Sequence, residues 1–237
     1  MKKDYIRVSE YFYSIQGEGI TMGVPSVFIR LTGCNLLCSS KDWVCDTIPV
    51  WTKGEKKLVE EFVKEIGEQY NKYFLKGAHL VWTGGEPVTQ QKAIVHFCDI
   101  FFSQYEFIPF MEIETNGTKE ISNDLLKELD LINCSPKTSN SGMEQERTIK
   151  PDSLKIINNF ENSIFKFVVA EEEDLMEIQD IIELLELKET KIVLMPAADC
   201  REQLESNLEM VADMCKENNY LMSTRMQVEI WNEVTGV

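Results

Sequence analysis

The sequence predicts a single α/β domain in which strands alternate with helices and pair in parallel. Short apolar runs rich in Ile, Val and Phe, typical of buried strands, recur between stretches whose apolar residues follow helical spacing. Such alternation favours parallel pairing with right-handed helical connections. In addition, no long linker or low-complexity tract interrupts the chain, so we expect residues 1–237 to form one domain.

The predicted elements are distinguished by the period of their apolar residues. Predicted strands carry continuous or alternating apolar residues and cover 5–15, 27–31, 78–82, 111–114, 131–134, 164–169, 191–195 and 226–231. Predicted helices carry apolar residues three and four positions apart and cover 56–74, 88–104, 123–129, 172–187 and 201–218. The polar segment 138–152 has neither period and is predicted to be a loop.

Composition and charge exclude several classes of protein. The chain has 40 acidic and 24 basic residues, which argues against a surface that binds nucleic acid. Its first residues lack the apolar core of a signal peptide, and no stretch approaches the length of a membrane span. Seven cysteines, an odd number with three close together, do not resemble a disulfide framework. We therefore expect a reduced, cytoplasmic protein.

Three cysteines, Cys34, Cys38 and Cys45, lie within twelve residues directly after the predicted strand 27–31. Thiolates bind soft metals and iron–sulfur clusters, and a short loop can direct three of them at one centre. A closed structural zinc site takes four protein ligands, and the sequence offers no fourth Cys or His nearby. The pattern favours a metal or iron–sulfur centre with one open position, and incidental buried cysteines are the alternative.

Further polar clusters each follow a predicted strand. They are Gly84-Gly85-Glu86-Pro87, Thr115-Asn116-Gly117 and Ser135-Pro136-Lys137. Because the carboxyl ends of parallel strands lie on one rim, where ligands bind, we expect these clusters and the cysteines to form one site.

Two of the turns have a chemistry of their own. Gly84 and Gly85 leave backbone carbonyls unshielded and Glu86 adds a carboxylate, a combination that suits an ammonium group. Glycines also flank Glu18 in the turn Gln16-Gly17-Glu18-Gly19, where backbone amides can approach a ligand closely. An ordinary turn is the alternative in both places.

Taken together, the motifs resemble those of radical S-adenosyl-L-methionine (SAM) enzymes, and more narrowly the 7-carboxy-7-deazaguanine synthase (QueE) family. The resemblance rests on residues 15–19, 28–30, 33–34, 45–47, 82–87, 114–117 and 135–137, which keep the family's order. One departure is the spacing of the cysteines, which is three residues and then six where radical SAM enzymes usually have three and then two. Residues 39–42 look like a four-residue insertion.

The resemblance implies a partial (open) TIM-like β/α barrel of the radical SAM type, with a cluster-binding loop at 33–47 and a C-terminal tail that closes the pocket. By position, the residues implied to hold a 4Fe–4S cluster are Cys34, Cys38 and Cys45, and the implied Mg²⁺ ligand is Thr47. Those implied to bind SAM are Gly84, Gly85, Glu86, Asn116, Ser135, Pro136 and Lys137. Those implied to bind the substrate are Ile15, Gln16, Gly17, Glu18, Arg30, Thr83 and Val237. No side chain is implied as catalytic, because the cofactor carries the radical.

The function implied by the resemblance is that of a ring-contracting carbon–nitrogen lyase in queuosine and deazapurine biosynthesis. Its expected substrate is 6-carboxy-5,6,7,8-tetrahydropterin, its product 7-carboxy-7-deazaguanine, and ammonia is lost. A reductant such as flavodoxin or ferredoxin and a homodimeric state are also implied.

Alternatives stay open at this stage. Another radical SAM enzyme, such as a glycyl-radical activase, shares the cysteines but does not explain the turn at 16–19 or Cys45-Asp46-Thr47. A non-catalytic metal-binding module is the second alternative. For individual residues, Arg30 suits a carboxylate but can be an ordinary ion-pair partner, and Thr47 can be a helix cap.

Overall fold

The computed structural model describes residues 4–40, 44, 45, 47–234 and 236. Within them the strands are β1 (Tyr5–Ile15), β2 (Pro25–Leu31), β3 (Glu55–Leu58), β4 (His79–Gly84), β5 (Met111–Thr115), β6 (Leu131–Cys134), β7 (Ser163–Val169), β8 (Ile192–Pro196) and β9 (Leu221–Met222). The helices are α1 (Ile48–Trp51), α2 (Val59–Phe74), α3 (Gln91–Tyr105), α4 (Asn123–Glu128), α5 (Gln145–Thr148), α6 (Pro151–Asn159), α7 (Asp174–Leu185), α8 (Arg201–Asn218) and α9 (Met226–Trp231).

All of these strands belong to one sheet, in the order β3-β1-β2-β4-β5-β6-β7-β8-β9. From β2 through β4 to β9, each neighbouring pair is parallel, whereas β1 runs antiparallel to both β2 and β3. Strands β3 and β9 form two separate edges, so the sheet is open. The predicted partial, open β/α barrel is confirmed.

The outer face of the sheet is covered by helices, which leaves the inner face for a site. Trp82 of β4 is fully buried and packs edge-on against Phe97 of α3, with ring centroids 5.0 Å apart. Phe97 in turn packs against Phe62 of α2 at 5.7 Å. Because successive side chains of a strand point to opposite faces, Thr83 points inward where Trp82 points outward.

One predicted strand is wrong. Residues 226–231 form the helix α9, although Met226, Val228 and Ile230 alternate with polar residues as in a half-buried strand. Among these three only Val228 is buried, and Ile230 is exposed. The place beside β8 is taken by the short strand β9, which the sequence pattern did not predict.

Other differences concern the ends of elements. The predicted helix 56–74 begins only at Val59, since residues 55–58 pair with β1 as strand β3. The predicted loop 138–152 contains α5 and the start of α6, whose first residue, Pro151, suits a helix N-terminus because its missing N–H costs no hydrogen bond there. The remaining predicted strands and helices are confirmed with small shifts at their ends.

Candidate active site

A cavity of about 300 Å³ opens at the carboxyl ends of the parallel strands. The predicted site residues that line it are Ile15, Gln16, Gly17, Glu18, Arg30, Cys34, Cys38, Cys45, Thr47, Thr83, Gly84, Gly85, Asn116, Ser135 and Lys137. Glu86 and Pro136 are buried outside this lining, and Val237 lies outside the described residues. The cysteine loop, the glycine turn and the turn after β1 therefore meet at one cavity.

The cysteine loop closes on itself despite its unusual spacing. The backbone N–H of Cys45 donates to the carbonyl of Cys38 at 3.1 Å, and Ser39 pairs with Val44 in an antiparallel bridge. We call the paired residues 38–40 and 44–45 the hairpin; residues 41–43 lie outside the described part of the chain. Cys45 therefore lies next to Cys38 in spite of the longer spacing between them in the sequence.

A turn more than ninety residues further along the chain supports this hairpin. The N–H of Ser39 donates to the carbonyl of Ser141 at 3.0 Å. Gly142 lies so close that a β-carbon there would overlap the carbonyl oxygen of Ser39. The turn is itself fixed to the start of α7, because the Asn140 amide donates to the carboxylate of Asp174 at 2.9 Å.

The three thiols of the loop are near enough to influence one another. Burial is the largest cause that raises the pKa of Cys34 to about 11, and the charges of Glu86, Cys38 and Cys45 raise it further. Burial also raises the pKa of Cys38. Among the described His, Cys, Asp and Glu side chains, no three converge on a point where a single metal ion could sit. A four-iron cluster does not require such convergence, since each cysteine binds a different iron, so three thiols around one cavity fit that cluster.

The glycine turn after β4 packs directly against the backbone of the cysteine loop. The N–H of Gly85 donates to the carbonyl of Leu31 at 3.1 Å, and that of Glu86 donates to the carbonyl of Gly33 at 2.9 Å. A β-carbon at Gly85 would overlap the Gly33 carbonyl oxygen, so this contact requires glycine. The two loops are therefore held in a fixed relation at the rim.

The Glu86 side chain joins neighbouring strand ends from behind the cavity wall. Its fully buried carboxylate accepts hydrogen bonds from the N–H of Val88 at 3.0 Å, the hydroxyl of Thr115 at 2.8 Å and the N–H of Asn116 at 2.8 Å. Burial raises the pKa of this carboxyl, although these hydrogen bonds oppose the shift. The carboxylate faces these donors, and the part of the turn that lines the cavity is its glycine backbone.

A polar row crosses the inner face of the sheet. Arg30 of β2 is paired in register with Thr83 of β4, whose hydroxyl donates to the carboxylate of Glu114 on β5 at 2.7 Å. The Gln16 amide donates to the other oxygen of Glu114 at 3.2 Å. Arg30 also forms an ion pair with Glu10 at 2.9 Å while it lines the cavity. The row thus offers both hydrogen-bond donors and hydrogen-bond acceptors to a ligand.

Glu18 lies at the centre of a buried charge cluster. Its carboxylate accepts hydrogen bonds from Lys166 of β7, from Arg225 at 3.1 Å and from Gln227 of α9 at 2.6 Å. Burial alone would raise the pKa of Glu18, but the two positive charges and these hydrogen bonds outweigh it and hold the pKa well below its usual range. The carboxylate is therefore ionised at neutral pH.

The C-terminal segment closes one side of the cavity by docking on the turn after β1. The N–H of Met226 donates to the carbonyl of Gly17 at 2.9 Å, and the N–H of Gly19 donates to the Ser223 hydroxyl at 2.8 Å. The resemblance implied a C-terminal tail at the pocket, but the sequence pattern did not indicate Lys166, Arg225 or Gln227 as cavity residues. A lone lysine inside an apolar strand was the available signal for Lys166.

Thr47 lies at the start of α1 and lines the cavity. Its hydroxyl lies 3.4 Å from the Cys45 sulfur and makes no helix-capping hydrogen bond within the described chain. The hydroxyl oxygen therefore lies beside the cysteine loop, at the N-terminal end of α1.

Comparisons with known proteins agree with this geometry. Residues 15–158 match the family model of a 4Fe–4S single cluster domain. With the open β/α barrel and the three-cysteine loop, this match defines an iron–sulfur enzyme of the radical SAM class. No helix of the described residues is long and apolar enough to cross a membrane.

The similar curated proteins narrow the class to a family. Proteins named 7-carboxy-7-deazaguanine synthase are 30% identical in Halobacterium salinarum (95% of this chain, 90% of the relative) and 32% identical in Rhodopirellula baltica (97% and 88%). The one from Clostridium acetobutylicum is 31% identical over 95% of this chain and 96% of its own. The chain belongs to the 7-carboxy-7-deazaguanine synthase family. The crystal structure of QueE from Escherichia coli has the same fold, with a TM-score of 0.68 and 24% identity over 94% of each chain.

Proposed function

We propose that the protein is a radical SAM lyase that converts 6-carboxy-5,6,7,8-tetrahydropterin to 7-carboxy-7-deazaguanine with loss of ammonia. One observation carries the proposal: the three cysteines and the polar row that begins at Arg30 line the same cavity. The family to which the chain belongs supports it. Neither a glycyl-radical activase nor a non-catalytic metal-binding module is favoured by the similar proteins.

The cofactors occupy the rim in this proposal. Cys34, Cys38 and Cys45 hold the 4Fe–4S cluster; when bound, cluster and SAM together supply the 5′-deoxyadenosyl radical that starts the reaction. The SAM-binding residues are Gly84, Gly85, Glu86, Asn116, Ser135, Pro136 and Lys137. Glu86 and Pro136 support the others from behind the wall, since they are buried outside the lining.

The substrate lies against the inner face of the sheet. Arg30 offers paired donors to its carboxylate, and Gln16 and Thr83 contact the heterocycle. Ile15, Gly17 and Glu18 complete this side of the pocket, where Glu18 is ionised. Thr47 provides an oxygen ligand for Mg²⁺, a hard cation that prefers oxygen donors. Val237 is also proposed to contact the substrate, and only the resemblance to the family supports this role.

The wider setting follows from the same proposal. Residues 1–237 form one cytoplasmic domain that acts in queuosine and deazapurine biosynthesis. A flavodoxin or ferredoxin supplies electrons, and two copies of the chain form a homodimer.

The test is an anaerobic turnover assay of the reconstituted protein with SAM, dithionite and 6-carboxytetrahydropterin, read by mass spectrometry. We expect the contracted-ring carboxylate product together with 5′-deoxyadenosine, and neither in a reaction that lacks SAM. Cleavage of SAM without any product derived from the pterin, under conditions in which the cluster is fully loaded, would contradict the proposal.

A further inference from the structure

The amide of Asn133 on β6 is buried in the cavity wall without a hydrogen-bond partner. The residue is 1% exposed and lines the cavity. Neither its Oδ1 nor its Nδ2 has a partner among the described residues. Buried side-chain amides are nearly always hydrogen-bonded, so an orphaned one beside a cavity points to a ligand that completes it.

The register of the sheet assigns Asn133 to the substrate side of the cavity. It is paired with Glu114 of β5, which accepts a hydrogen bond from Thr83 of β4. Asn133 therefore extends the row that starts at Arg30.

A second row lies above this one. Two residues after Thr83, Glu114 and Asn133, just past the ends of β4, β5 and β6, come Gly85, Asn116 and Ser135, which also line the cavity and which we propose for SAM. The row that contains Asn133 is the deeper of the two, on the side of the proposed substrate residues.

The turn after β1 fixes the position of this amide. Gly19 lies so close that a β-carbon there would be 2.6 Å from Nδ2 of Asn133. The glycine leaves room for the amide beside a turn that the proposed function already assigns to the substrate. The amide thus lies between the turn after β1 and its neighbour in the polar row, Glu114.

We propose that Asn133 is a further substrate-binding residue, whose amide pairs with the lactam edge of the pterin ring. A primary amide presents a donor and an acceptor side by side. The pyrimidinone part of a pterin presents the complementary N–H and C=O groups, while Arg30 meets the carboxylate at the other end of the molecule. This inference rests on the proposed function, because it takes the pterin as the substrate.

The test compares Asn133→Ala with the wild type as reconstituted holoenzymes. We expect KM for 6-carboxytetrahydropterin to rise about tenfold, because the substrate loses two ordinary hydrogen bonds. The value of kcat should change far less. The dissociation constant of SAM and the iron content should stay at the wild-type values. The melting temperature of the ligand-free variant should not fall, because the mutation removes a polar group that has no partner.

Two further variants keep the result interpretable. Asn133→Ser retains a polar group but shortens the side chain, so it should raise KM as Asn133→Ala does. It replaces the alanine variant in the test if that variant folds poorly. Asn71→Ala is the matched control: Asn71 of α2 also has an unpartnered amide oxygen but lies outside the cavity lining, so KM should not change.

Two outcomes would overturn the inference. Wild-type KM for the pterin in the Asn133 variants would do so, and so would a weakened affinity for SAM with unchanged affinity for the pterin. If the wild-type holoenzyme itself fails to convert the pterin, the proposed function fails as well. Conversion by wild type and variants alike rejects only the role of Asn133.

Discussion

Glu18 shows how one buried carboxylate organises the side of the cavity that is proposed for the substrate. It links the turn after β1 to Lys166 in the sheet and to Arg225 and Gln227 at the C-terminal helix. Desolvating these charges is costly, and their mutual attraction offsets that cost only while all partners are present. The cluster therefore fixes the position of the turn more firmly than an exposed ion pair could.

Replacement of this carboxylate by the isosteric amide, Glu18→Gln, should destabilise the protein by about 3 kcal/mol at pH 7, because Lys166 and Arg225 lose the buried carboxylate that they share, although Arg225 keeps Asp199 at 3.7 Å. Since the folded pKa of Glu18 lies below the unfolded value of about 4.3, its contribution is complete above that pH and is lost as the pH falls further. The difference in the free energy of unfolding between variant and wild type should therefore decrease as the pH falls below about 4.3. Urea denaturation at several pH values measures it.

The matched control for that experiment is Glu202→Gln, at an exposed position in the first turn of α8. Its effect should stay within about 0.5 kcal/mol at every pH. An equally small effect of Glu18→Gln, or one that does not change between pH 7 and pH 3, would contradict the role assigned to Glu18.

At the scale of elements, the cysteine loop depends on a distant part of the chain. The hairpin between Cys38 and Cys45 is held by the turn that contains Ser141 and Gly142. Local sequence could locate the cysteines, but a contact between segments about a hundred residues apart leaves no local pattern. For the same reason the alternating residues of α9 resembled a strand, since hydrogen bonds to the turn after β1 and the presence of β9 decide that segment's structure.

This dependence can be tested by Gly142→Ala. Gly142 has a φ of +73° and touches the Ser39 carbonyl, so an added β-carbon should push the hairpin aside. Gly77→Ala is the control, with a φ of +91° and open space around the position. Both variants should lose about 1 kcal/mol through the backbone conformation. Only the Gly142→Ala variant should bind less iron after reconstitution. Equal iron content in the two variants would contradict the claim that the turn at Gly142 supports the cysteine loop.

At the scale of the whole molecule, the alternation of strands and helices predicted the parallel strands and the rim on which the motifs meet, but not the antiparallel direction of β1 or the short edge strands β3 and β9. Parallel strands place their carboxyl ends together, so four separate motifs could be assigned to one site. The cavity residues from the C-terminal half of the chain could not be predicted in this way. Lys166, Arg225 and Asn133 each stand alone in their segments, and only the folded sheet places them beside the cavity.

The central claim is that Cys34, Cys38 and Cys45 hold one four-iron cluster with a position left open for SAM. The most direct measurement is iron content and electron paramagnetic resonance of reduced protein, with single Cys→Ser variants at these positions and Cys200→Ser as control. Cys200 is half-buried at the start of α8, outside the cavity lining. We predict about four irons per chain in wild type and control, a spectrum that changes when SAM is added, and loss of this cluster in all three variants. A full cluster in the Cys45→Ser variant, or a spectrum that does not respond to SAM, would contradict the account.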